Sequence, residues 1–424
     1  MSLTPPPTES ESGAERRVDV LIVGAGPAGC AAAITLQRSG KSVVVIDKAS
    51  FPRDKICGDG LTTSALRELD TLGLDPTSVA SWINVEDVIV RSPSGREVVF
   101  PLPRNNGVYA AVSRRRDLDA ALVGLTRSTG VEVRENLALT AIQQNDTDAL
   151  VTTDTGEMFR ATYVIAADGM WSPTRKALDL AQPGYRGEWH AFRQYFRNVS
   201  PRAAHELVVW FEADLLPGYA WSFPLADGTA NVGFGILRDD SSYSVGDMGA
   251  LWRELLNRPH VRDFLGPNAE AEGPHRAWPI PARVDRIALS HERTLFVGDA
   301  AAATDPMTGE GIGQALLTGR WAAEAIISNS ANPSDCRSAY AHSVETELSV
   351  DHRFAERLMR ILRRPSGARG AVRIAGISGW TRRNFARWLF EDYPRALLLT
   401  PRRWQRKMLT GPGAYRGDHA HSTH

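Results

Sequence analysis

An apolar run at residues 18–23, VDVLIV, leads into Gly24-Ala25-Gly26-Pro27-Ala28-Gly29 and then into the small, apolar stretch CAAAITLQRSG. The pattern predicts strand, turn and helix, with Pro27 in the first helical turn and Gly40 at the C-terminal cap. A second strand is expected at 42–46, ending at Asp47, and further apolar runs predict strands at 163–167 and 294–297. A helix is expected from about Gly311, with an apolar face of Ile312, Ala315, Leu316, Ala322, Ala323 and Ile326. In the middle of the chain, stretches at 191–198 and 206–212 read as further strands. The segment 219–224 alternates and, through an Asp227-Gly228 turn, pairs as a hairpin with 230–237. Tyr219, Trp221 and Phe223 then share one face, because side chains in a strand repeat with period two.

The glycine turn has a specific chemical use. Gly24 permits the tight turn, Gly26 lets a pyrophosphate approach the backbone, and Gly29 lets the helix pack on the strand, while Pro27 and Ala28 open that helix under the phosphates. Asp47, about 20 residues beyond the glycines, is placed to accept hydrogen bonds from a ribose, with Lys48 beside it. This much fits either NAD or FAD. Two later segments discriminate. ATYVIAADGMWSPTRK ends a strand in Asp168-Gly169, followed by Ser172 and Arg175; TLFVGDAAAATDPMTGEGIGQAL ends one in Gly298-Asp299. They resemble the DG and GD motifs of the FAD-dependent hydroxylase superfamily, in which the GD aspartate holds the flavin's ribityl chain.

Gly309 and Gly311 leave backbone amides uncovered before Ile312, with Pro306 stiffening the approach. That helix N-terminus, aimed at a flavin's pyrimidine edge, would stabilise charge on the reduced ring. Arg115 in SRRRDLDAAL matches an RxxLD pattern that in relatives sets an arginine against the cofactor; a solvated helix charge is the alternative, since Arg114 and Arg116 flank it.

Two segments narrow the class. FPRDKICGDG at 51–60 and PGYAWSFP at 217–224 resemble the FPRxKxCGxG-like and PxxYxWxFP-like motifs of the geranylgeranyl reductase family, which saturates carbon-carbon double bonds in prenyl chains. The likeness runs over about residues 18–325, and only Pro217 departs from the second motif, with one residue before Tyr219 in place of two. The resemblance implies an α/β fold: a Rossmann-like FAD-binding domain (18–74, 108–180 and 288–327) intergrown with an antiparallel β-sheet substrate domain (75–107 and 181–287), plus C-terminal helices at 328–410. It also turns the Tyr219, Trp221 and Phe223 face from ordinary sheet core into a candidate wall for a hydrocarbon chain. An isolated prenyl alkene needs protonation at one carbon to accept a hydride at the other, and aromatic faces stabilise the positive charge that develops. Cys57 is a candidate for shaping or protonating the site, against a small buried residue without chemistry; the sequence does not identify the acid. A halogenase is disfavoured because no lysine lies between Cys57 and Arg175. An aromatic hydroxylase would carry the same FAD motifs, and a non-enzymatic flavin carrier would leave the aromatic face unexplained.

Composition adds limits. Lys+Arg and Asp+Glu both total 49, so overall charge gives no reason to expect nucleic acid as partner. Three scattered cysteines, Cys30, Cys57 and Cys336, predict neither a disulfide framework nor a metal site and fit a reducing cytoplasm. Residues 1–17 and 411–424 read as tails, the first without the apolar core of a signal peptide, and no 18-residue apolar run spans a bilayer. The C-terminal region is rich in arginine, with Trp380, Phe385, Trp388, Leu389 and Phe390 interleaved. That pattern fits an interfacial helix on anionic lipid at the inner face of the membrane, or a helix packed on the protein's own surface. No second GxGxxG follows a strand, so the electron donor is expected to be transiently bound NADPH or a ferredoxin.

Overall fold

The structure, a computed structural model, describes residues 15–238, 243, 245–404 and 408–416. The expected N-terminal tail therefore lies outside the described residues as far as residue 14. Its last two positions are corrected: Arg16 and Arg17 open the first strand, Arg16–Val23, opposite Phe159 and Arg160. Ion pairs from Arg16 to Glu132 and from Arg160 to Glu15 extend that strand beyond its apolar stretch.

Five parallel strands lie in the order Glu132–Arg134, Val43–Ile46, Arg16–Val23, Met158–Ala166 and Thr294–Phe296. Val23 pairs with Ile46 on one side and Ala166 on the other, which brings Gly24, Asp47 and Asp168 to one carboxyl edge, the ligand edge of such sheets. Helices cover one face of the sheet and an antiparallel meander, Leu139–Gln144 with Ala149–Thr153, packs Leu139, Ile142 and Val151 on the other, so its strands are apolar on both faces. The helices Pro27–Arg38 and Ile312–Asn329 touch so closely that a Cβ at Gly319 would stand 2.1 Å from the Ala28 carbonyl oxygen. Val79 and Trp82, expected in the substrate half, pack in this first core.

The second sheet runs Glu270–Ala271, Trp189–Arg197, Ala230–Leu237, Tyr219–Pro224, Leu207–Trp210, Asp87–Arg91, Glu97–Pro101, with Arg276–Ile280 also on Trp189–Arg197. One pair corrects the wholly antiparallel expectation: Leu207–Trp210 runs parallel to Asp87–Arg91, because the two strands belong to separate excursions from the first sheet. Val208, Trp210, Ala220 and Phe234 pack under the helices Met248–Asn257 and Pro259–Leu265 with Trp252 and Phe264. Burial of each such large apolar side chain is worth about 1.5–3 kcal/mol, so this helical cover fixes the back of the sheet firmly. Tyr219, Trp221 and Phe223 face the other way.

On that other side the helices Pro365–Ala375 and Gly379–Leu389 add Val372, Ala375, Ala386 and Phe390 to a core with Val98 and Phe100, and the Phe385 ring lies 4.8 Å from that of Phe100. Arg387, buried, pairs with Asp392 and donates to the Met408 and Gly411 carbonyls. Much of the aromatic face of this region thus packs inward. The expected C-terminal tail is corrected for residues 411–416: Ala414 bridges to Val108, and buried Tyr415 meets Trp82 edge-on at 5.9 Å, because this apolar pair closes the bottom of the first core. Residues 417–424 lie outside the described residues.

Candidate active site

The glycine turn is shaped by contacts that exclude a side chain. Gly24 has φ +107°, donates its amide to the Ile46 carbonyl, and would put a Cβ 2.3 Å from the Ala167 oxygen. Gly26 faces open space, with only Arg53 within 3.6 Å of a Cβ there. Asp47 accepts from the Ala25 amide at 2.7 Å and the Ala49 amide at 2.8 Å, so it braces the turn and keeps acceptor capacity for a ribose. Arg115, read from sequence as cofactor-facing or solvated, is 4% exposed and makes a bidentate pair with fully buried Asp119 at 2.8 Å on each arm. Arg53 reaches the same carboxylate at 3.2 Å. Two guanidiniums on one carboxylate leave net positive charge beside the Pro27–Arg38 N-terminus, which suits a diphosphate.

At the second and third motifs, burial raises the pKa of Asp168, whose Oδ2 accepts from the Thr174 amide at 2.8 Å. Its Oδ1 is buried without a hydrogen-bond partner among the described residues. Burial would also raise Asp299, but Lys55, 2.8 Å away, outweighs it and holds the carboxylate ionised. Arg175 does not line the site. It donates to the Ala300 and Ala288 carbonyls at 2.7 and 2.6 Å and lies over the Phe296 ring, tying the two loops together, and burial pushes it down to about 10.

The aromatic strand closes the other end. Ring centroids of Tyr219 and Trp221 are 5.9 Å apart, and those of Trp221 and Phe223 are 6.1 Å apart. The 57–60 loop crosses this face: a Cβ on Gly58 would touch Trp221 and one on Gly60 would press Phe223. A buried polar knot fixes the crossing. Trp221 Nε1 donates to Asn231 Oδ1 at 3.2 Å; Asn231 Nδ2 donates to the Cys57 carbonyl at 2.9 Å and to Asp59 Oδ2 at 2.7 Å. Asp59 also accepts from the Tyr195 hydroxyl at 2.7 Å and the Arg115 amide at 3.2 Å. Burial pushes Asp59 up to about 6, restrained by Arg193 and these donors, and pushes the Cys57 thiol up to about 11.

One cavity of about 480 Å³ joins the two ends. It brings together Gly24, Gly26, Pro27, Ala28, Asp47, Lys48, Arg115, Asp168, Gly169, Gly298, Asp299, Gly309, Gly311 and Ile312 with Cys57, Tyr219, Trp221 and Phe223. Two expected cofactor residues lie outside it. Gly29 is buried against the Gly24 carbonyl, in the helix-packing role its motif position gives it, and Pro306 is buried, away from the cavity lining. A third expectation is also corrected: the Ile312 amide is not uncovered, since Glu310 Oε1 accepts from it at 2.9 Å. Glu310, Asp59, Asn231, Arg53 and Lys55 were not singled out from sequence; for Arg53, Lys55 and Asp59 the signal was their place inside the FPRDKICGDG stretch.

The cradle at Gly24 and Gly26, the two-arginine carboxylate beside it and the orphaned Asp168 oxygen together fit a dinucleotide with free hydroxyl donors. The model of the FAD binding domain matches residues 17–318. Among relatives, the menaquinone reductase of Mycolicibacterium smegmatis is 32% identical over 82% of this chain and 85% of its own. The digeranylgeranylglycerophospholipid reductase of Methanoculleus marisnigri is 30% identical over 75% and 78% respectively. A geranylgeranyl bacteriochlorophyll reductase-like structure from Thermoplasma acidophilum superposes with a TM-score of 0.76 at 22% identity, covering 92% of this chain and all of that one, which shows the shared fold. Fold and site thus define an FAD-dependent oxidoreductase of the aromatic-hydroxylase-like class. Within that class the chain belongs to the geranylgeranyl reductase family.

Proposed function

We propose that the protein saturates carbon-carbon double bonds in the prenyl chain of a lipid. The observation that carries this reading is the Tyr219, Trp221 and Phe223 face, which walls the same cavity as the cofactor cradle. The names of the two relatives support it: a menaquinone and a digeranylgeranylglycerophospholipid have different heads, and what they share is a polyprenyl chain. FAD, once reduced, supplies hydride. The chain's own residues bind and orient. Arg53, Arg115 and Lys55 set positive charge at the diphosphate and GD ends, and the knot of Asp59, Asn231 and Trp221 holds an apolar, water-poor slot in which positive charge at carbon meets aromatic faces. The reductant that reloads the flavin is NADPH or a ferredoxin. The test is anaerobic: reduce the flavin with dithionite, add prenyl lipids, and follow reoxidation and product mass. Reoxidation with a gain of two hydrogens is expected. Reoxidation only on admitting oxygen, with a hydroxylated product, would overturn the reading in favour of a monooxygenase.

The C-terminal helices are read as the part that meets the substrate's membrane, on its cytoplasmic side. Residues 357–390 carry nine arginines and no acid. Arg357, Arg360, Arg364, Arg369, Arg373 and Arg383 are exposed and form no ion pair with a described residue. Ile361, Ile374, Ile377 and Trp380 stand at least 60% exposed among them. No helix of the described residues is long and apolar enough to cross a membrane. Val372 and Phe390 share a core with Tyr219 and Phe223, so this face lies behind the aromatic wall. At roughly 1 kcal/mol per arginine near an anionic surface, six give strong, screenable binding. Flotation with anionic vesicles in about 0.1 M salt should carry the protein, and about 1 M salt should release it. Ile374→Asp with Ile377→Asp should weaken it at either salt; equal flotation with zwitterionic vesicles would remove the electrostatic account.

A further inference from the structure

We propose that Glu310 is the catalytic acid that gives its carboxyl proton to the alkene, an inference that rests on the prenyl-reductase reading above. Saturation adds a proton and a hydride. The hydride brings both electrons from the reduced flavin to one carbon. The alkene's π pair forms the bond to the proton at the other carbon, and Glu310 is left as carboxylate, to be reprotonated from water.

The cavity offers few groups for this task. Asp47 holds the Ala25 and Ala49 amides, Asp168 sits at the Gly24 end, and Asp299 is ionised by Lys55. Asp54 is paired with Arg193. Asp59 is 0% exposed and closed in by Tyr195, Asn231 and the Arg115 amide, so it cannot reach a substrate. The Tyr219 hydroxyl donates its proton to the Thr308 carbonyl. Cys57 lines the slot, but a thiol raised to about 11 gives up its proton reluctantly. Glu310 is partly open to the cavity and flanked by Gly309 and Gly311. A change of side-chain rotamer takes its carboxyl off the Ile312 amide and into the cavity that it lines.

Its protonation suits the role. Burial pushes Glu310 up to about 7, against the Ile312 amide and Arg115, with Asp305 of the same loop raising it further. Cys57 from the 57–60 loop, Tyr219 from the aromatic strand and Glu391 from the C-terminal segment also face it; Arg395 backs Glu391. A general acid works best with a pKa near the working pH, which an exposed glutamate lacks. Protonation also weakens the hold of Oε1 on the Ile312 amide, freeing the carboxyl to swing.

The test uses the FAD-loaded protein, Glu310→Gln and Glu391→Gln. Infrared titration of the wild type from about pH 5 to about 9 should show a protonated-carboxyl band fading near pH 7, lost in E310Q and kept in E391Q. In anaerobic single turnover with pre-reduced flavin, E310Q should lose saturation by about 100-fold or more at unchanged flavin content, with E310D in between. Because the acid must be protonated, the wild-type rate should fall as pH rises through about 7, and E310Q should lose that limb. An E310Q protein with the wild-type rate and pH profile, or no titrating band that depends on Glu310, overturns the assignment. A wild-type protein that saturates no prenyl lipid overturns instead the function beneath it, and does so without any substitution.

Discussion

Gly29→Ala will give a protein that folds poorly and loses its flavin on gel filtration. An added Cβ would stand 1.9 Å from the Gly24 carbonyl oxygen and 3.3 Å from Ile22 Cγ2. The first contact is backbone on backbone, so no rotamer change relieves it; either the helix Pro27–Arg38 lifts off the sheet or the Gly24 turn opens. Overpacking costs typically about 1–3 kcal/mol even where side chains can yield, and here the turn that deforms is the one read as the diphosphate cradle. A loss near 3 kcal/mol corresponds to about a 150-fold weaker hold on FAD. Gly40→Asn is the control. Gly40 has φ +80° with nothing within 4 Å of a Cβ, and asparagine tolerates that conformation, so flavin content should stay at the wild-type level. The readout is bound-flavin absorbance per protein with a melting curve; equal flavin in both variants would mean that Gly29 does not shape the cradle.

The contrast between these two glycines reflects what a sequence can reveal. Strand, turn and helix at 18–38 were readable because every determinant lies within about twenty residues, and the hairpin at 219–237 because its turn is local. The aromatic face followed from period two alone. Arg115 was found by motif, but its partner and burial were not, since whether an arginine is solvated depends on what covers it. Long-range polar contacts left even less trace. Lys55 meets Asp299 across 244 positions, and Asn231 meets Asp59 across 172. Nothing local in the glycine-rich loop singles out Glu310, and only its place on the cavity wall separates it from a solvated residue. The C-terminal helices carry apolar residues on both sides, so periodicity did not show that Phe385 and Phe390 turn inward while Trp380 remains 61% exposed.

Trp221→Ala should reduce prenyl saturation on the order of 10³-fold while FAD remains bound. The indole lies so close over the neighbouring strand that a Cβ on Gly233 would stand 2.3 Å from its ring, and Asn231 accepts from its Nε1, so the ring is held in place. A desolvated aromatic face is worth about 2 kcal/mol to a developing cation, roughly thirtyfold in rate. Loss of the wall also lets the chain shift, and misplacement by about 1 Å costs about another hundredfold; the two overlap, which sets the estimate near 10³. Flavin binding should survive, because the Gly24 turn and the pair of Lys55 with Asp299 are held by contacts in which Trp221 takes no part. The fold should survive as well. Removing a buried tryptophan costs about 3–5 kcal/mol when it leaves a closed void, but this void opens into the existing cavity, toward the lower figure. Trp221→Phe keeps an apolar face and loses the bond to Asn231, so a drop of about tenfold is expected from a weaker face. Single-turnover reoxidation of dithionite-reduced enzyme by a prenyl lipid separates the cases. If Trp221→Ala reoxidises at the wild-type rate, the aromatic strand is sheet core, and the substrate chain must run along another wall of the cavity.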